Sequence, residues 1–111
     1  MKNFYGNSNI NPYLEQQIMT ASPEKLILML YDLGIKSCRK EDRQKAAQVI
    51  VELIGALNFE YKEMALRFYE LYRFALDHIH KNSFKEPLMV FEGLKDAWDA
   101  GVMKSKVQLN N

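Results

Sequence analysis

Ser22-Pro23-Glu24-Lys25-Leu26-Ile27-Leu28-Met29-Leu30-Tyr31-Asp32-Leu33 reads as the opening of an amphipathic helix, and the fold class follows from it. A hydroxyl stands where free backbone N–H groups need an acceptor. A proline follows where its missing N–H does no harm, and then an acid at the positive end of the helix dipole. Leu26, Met29, Leu30 and Leu33 recur at three- and four-residue spacing, with Ile27 and Tyr31 widening the stripe toward a second neighbour.

Working outward, a polar stretch from Lys36 to Lys45 gives way to Ala47, Ile50, Val51, Ile54 and Leu57, the stripe of a second helix that ends near Asn58-Phe59. Met64, Ala65, Phe68, Tyr69, Tyr72, Ala75, Leu76 and Ile79 predict a third, the longest amphipathic run. Asn82 and Ser83 interrupt it. Pro87 then suits the first turn of a fourth helix, whose stripe of Leu88, Phe91, Leu94 and Trp98 fades after Gly101. No strand-like alternation competes, so the expected fold is all-α, an antiparallel four-helix bundle. The bundle should span 22–103. Residues 1–21, rich in Asn at their start, read as a flexible N-terminal arm, and 104–111 as a loose C-terminal tail.

Between helices one and two the sequence permits two geometries. One is a short hairpin turning near Cys38 to Asp42. The alternative has no turn, because no Gly or Pro lies between Ile35 and Ile54: the two helices fuse into one rod, and the chain closes its core only as a domain-swapped homodimer. Leu26, Leu30, Leu33, Ser37, Lys40, Gln44, Ala47, Val51 and Ile54 keep the unbroken register such a rod needs.

With 111 residues, 48% hydrophobic and 26% charged, the chain supports one domain with one core. A formal net charge of +1 creates no field for nucleic acid phosphates, and the basic run Lys36–Lys45 is broken by Glu41 and Asp42. The longest apolar run stops at Asp32, too short for membrane insertion, and Met1-Lys2-Asn3 is not followed by a signal-peptide stretch. The single Cys38 forms no disulfide within the chain, which fits a cytoplasmic location.

No catalytic constellation emerges. His78 and His80 are two apart and face different ways on a helix, and Asp77 with His80 supplies too few ligands for a metal. Cys38 has Lys36, Arg39 and Lys40 nearby to favour a thiolate, but no paired base. Phosphate loops and nucleophile elbows are absent. The expectation is a non-enzyme without metal or cofactor.

Several segments resemble a known family. Asn11-Pro12-Tyr13, Thr20-Ala21-Ser22-Pro23-Glu24-Lys25-Leu26 and Met29-Leu30-Tyr31-Asp32 look like the N-terminal signature of the flagellin-specific export chaperones, the FliS family. Glu52-Leu53, Leu57-Asn58-Phe59-Glu60-Tyr61, Leu71-Tyr72 and Leu94-Lys95-Asp96-Ala97-Trp98 agree, carrying the resemblance to about Ala100. It implies a four-helix chaperone that binds the C-terminal segment of new flagellin in the cytosol, keeps it unpolymerised and presents it to the flagellar type III export gate. Two features depart from the family. Gly34 falls one position later than the usual glycine after Tyr-Asp, and the chain between Asp32 and Glu52 is shorter by roughly three helical turns.

The residues expected to line a partner groove are Ile50, Ile54 and Leu57 of helix two with Tyr61 and Phe68, because helix two carries apolar residues on more than one side. The competing reading places the same stripe in the core. The resemblance further implies that Tyr13, with Ile10, folds over the empty groove; permanent packing of that tyrosine is the alternative. A divergent adaptor for another flagellar component is the alternative function.

Overall fold

The computed structural model describes residues 23–110, with side chains to residue 101. Ile10, Tyr13, the rest of the arm and Ser22 lie outside the described residues. Helices α1 (Pro23–Arg39), α2 (Arg43–Gly55), α3 (Lys62–His80) and α4 (Lys85–Asn110) follow one another, with a 3₁₀ turn at Phe59–Tyr61 before α3. No strand occurs among the described residues. The architecture is the expected four-helix bundle.

The core is built from one face of each helix: Leu30, Tyr31, Ile35 and Cys38 of α1, Ala46, Val49, Ile50 and Leu53 of α2, Tyr72, Ala75, Leu76 and Ile79 of α3, and Phe91 of α4. In α2 the stripe is displaced from the predicted one. Val49 and Leu53 take the centre, while Val51 points to solvent at 58% exposure.

The chain turns between α1 and α2, so the fused rod gives way to a hairpin closed within one chain. Asp42 N–H donates to the Ser37 carbonyl at 2.9 Å and Glu41 N–H to the Cys38 carbonyl at 3.0 Å, the paired bonds of a Schellman motif. Such a motif needs a left-handed residue, usually glycine. Here Glu41 adopts it, with φ of 54°. Asp42 then caps α2, its Oδ1 accepting from Lys45 N–H at 3.1 Å. An absent glycine does not exclude this turn, which is why the sequence left the rod open.

The α3–α4 turn repeats the motif with a better-suited residue. Asn82 has φ of 59°, its N–H donates to the Ile79 carbonyl at 2.9 Å, and Ser83 N–H to that of His78 at 2.9 Å. Pro87 is buried in the first turn of α4 as predicted. α4 runs to Asn110, past the end near Met103 that its fading apolar stripe predicts; no proline follows Pro87 to stop it.

α1 and α4 pack closely at Gly34. A Cβ there would lie 2.6 to 2.7 Å from three ring atoms of Phe91, which is fully buried. The ring sits against bare α1 backbone, so the displaced glycine is where α1 admits α4.

Candidate partner-binding site

Unequal helix lengths shape the surface around α2. α2 has 13 residues and α3 has 19, so at 1.5 Å per residue α3 is longer by about 9 Å. The start of α3 and the connection before it leave apolar side chains uncovered. Met64 is 63% exposed, and Phe59 and Tyr61 in the preceding 3₁₀ turn are 53% and 68% exposed.

Four of the five predicted groove residues fall in one apolar cluster. Ile54, Leu57 and Phe68 are half-buried against the core, while Ile50 is inside it with no accessible surface. Phe68 lies against Tyr72 with ring centroids 6.0 Å apart. Tyr61 stands outside the cluster, in solvent. Ile50 is thus a core residue in the closed bundle: α2 presents it, not Ile54, to the centre. Val51, Phe59 and Met64 are also exposed, which stripes read one helix at a time do not reveal.

Beneath this surface the bundle is pinned by polar bonds. Tyr31 and Tyr72 share a buried hydroxyl–hydroxyl bond of 3.1 Å. Burial pushes both phenols up; for Tyr31 the bond opposes the rise, whereas Tyr72 is raised further by the bond and by the charge of Tyr31. Tyr31 also meets Trp98 edge-on at 6.4 Å, and Lys95 Nζ donates to Asp32 Oδ1 at 2.6 Å. The Asp32 carboxylate holds the Lys95 ammonium above the usual lysine range. Tyr31-Asp32, Tyr72, Lys95 and Trp98, far apart in sequence, therefore meet at one place.

Arg39 pairs with Glu92 at 2.9 Å, and a polar cleft of about 490 Å³ opens between α1 and α4, lined by Asp32, Lys36, Arg39, Glu92, Lys95 and Asp96 over Ile35. None of the predicted groove residues lines it. Cys38 is buried, and burial pushes its thiol up to about 11, opposite to what its basic neighbours in sequence predict. His78 Nδ1 lies 3.6 Å from Glu86 and its ring 4.6 Å from that of Phe74, whereas His80 is exposed and Asp77 pairs with Arg73. Among the described residues no three His, Cys, Asp or Glu are grouped to hold a metal, and no helix is long and apolar enough to cross a membrane.

Residues 6–44 match the family model described as flagellar protein FliS. Over this stretch the chain is similar to the FliS family. The match spans about a third of the chain and ends in the first turn of α2, after the Tyr31-Asp32 pair and the Gly34 contact with Phe91. FliS proteins are flagellar chaperones that bind flagellar proteins, a family of binders rather than of enzymes. No curated protein and no solved structure matches the chain significantly.

Proposed function

We propose that this protein is a cytoplasmic export chaperone that binds the C-terminal segment of flagellin, prevents its premature polymerisation and assists its delivery to the flagellar type III export apparatus. The observation that supports this most is the band of uncovered apolar side chains at the α2–α3 connection. Ile54, Leu57 and Phe68 form its half-buried floor, and Tyr61 with Met64 its exposed rim. Single exposed apolar residues are ordinary; several along one short connection and the helix it opens suit the apolar face of an amphipathic helix. Ile10 and Tyr13, in the arm that leads into α1, are proposed to cap the band until cargo displaces them.

The test is a calorimetric titration with a peptide covering the C-terminal segment of flagellin from the same genome. Binding at micromolar Kd or tighter with a negative heat-capacity change is expected. Tyr61→Ala and Phe68→Ala should each weaken it about tenfold, which corresponds to about 1.4 kcal/mol. A folded protein that binds no such peptide would overturn the reading. That result would favour a divergent adaptor for another flagellar component, an alternative supported by the family match stopping at residue 44.

A further inference from the structure

The two halves of α3 are held very differently. From residue 56 to 71, through the connection and the first half of α3, Ala65 is the one fully buried side chain, with Leu57, Phe68 and Leu71 half-buried and the remainder exposed. From 72 to 79 the helix buries Tyr72, Ala75, Leu76 and Ile79. The hydrogen bonds of the connection are local: Glu60 N–H donates to Asn58 Oδ1 at 3.0 Å and Tyr61 N–H to the Asn58 carbonyl at 3.2 Å. The buried Tyr31–Tyr72 bond lies just beyond, and Gly55, at the other end of the segment, stands in open space.

Segments that bury little apolar surface open at a lower free-energy cost than the global transition and do so as units. We propose that residues 56–71 form a flap that opens while the rest of the bundle stays closed, pivoting between Gly55 and the Tyr31–Tyr72 bond. The flap carries Tyr61 and Phe68, and α2 packs on α3, so opening bares more of the apolar surface between the two helices. A half-covered band becomes a groove within reach of a partner helix. The use made of the flap rests on the partner-binding reading above; its existence does not.

The test is amide hydrogen exchange on the full chain with no peptide present, each amide corrected for its intrinsic rate. Amides 66–71 all lie beyond the first, unbonded turn of α3, as do 76–80. The first group should exchange at least tenfold faster than the second, and Phe68→Ala should accelerate 66–71 several-fold while leaving 76–80 unchanged. Rates within threefold of each other in the unmodified chain, or equal acceleration of both groups by Phe68→Ala, would overturn the flap, since α3 would then open only with the whole bundle. Because no flagellin peptide is used, a failed flap and a failed chaperone assignment remain separate results.

Discussion

The half of the bundle that contains the α1–α2 and α3–α4 turns and the half that contains the α2–α3 connection are made from similar residues and treated oppositely. In the first, Ile35, Cys38, Ala46, Val49, Ile79, Pro87 and Phe91 are buried and both turns are tight Schellman motifs. In the second, Ile54, Leu57 and Phe68 are half-covered and Phe59, Tyr61 and Met64 are mostly in water. Composition does not separate the two halves. What separates them is how far neighbouring helices cover the side chains, so buried contacts concentrate in one half and uncovered apolar side chains in the other.

The largest expected effect would break or support that contrast directly. Phe91→Ala should destabilise the protein by about 3–5 kcal/mol, because it empties a site closed on the α1 side by glycine backbone. Met64→Ala, a comparable loss of apolar surface in the open half, should shift stability by less than about 0.5 kcal/mol. Equal losses in urea melts would show that the halves are not distinct.

A smaller effect sharpens the boundary between them. Tyr72→Phe leaves the Tyr31 hydroxyl buried without its partner and should cost about 1–3 kcal/mol, whereas Tyr31→Phe with Tyr72→Phe should cost less than the sum of the single changes. Additive losses in a double-mutant cycle would mean the bond pins nothing.

The smallest effect has the opposite sign. Glu41→Gly relieves the left-handed strain in the α1–α2 turn and should stabilise by about 0.5–1 kcal/mol, after the extra freedom glycine gives the unfolded chain. Asn82→Gly should gain less, because Asn tolerates this conformation better than Glu. A destabilised Glu41→Gly variant would show that Glu41 makes compensating interactions.

Much of the fold was legible because helical periodicity and capping are local. The start at Pro23, the first turn that holds Pro87, the stripe from Tyr72 to Ile79 and the break at Asn82-Ser83 each depend on a few adjacent residues. The α1–α2 turn was less legible because its signal, an acid in a left-handed conformation followed by a capping Asp, contains no Gly or Pro. Which apolar residues stay at the surface was legible only in part. Ile54, Leu57 and Phe68 sit at the surface of the apolar cluster, but the rotation of α2 against its neighbours sends Ile50 inward and Val51 outward.

The sequence alone determined four amphipathic helices, their order and the family resemblance through Tyr31-Asp32, since each is written in local spacing and residue type. Tertiary structure decided that Glu41 turns the chain, that Gly34 receives Phe91, that Cys38 is buried and not activated, and which apolar residues stay uncovered. Those outcomes depend on what stands opposite each side chain, and one helix's periodicity carries no information about its neighbour's length or rotation.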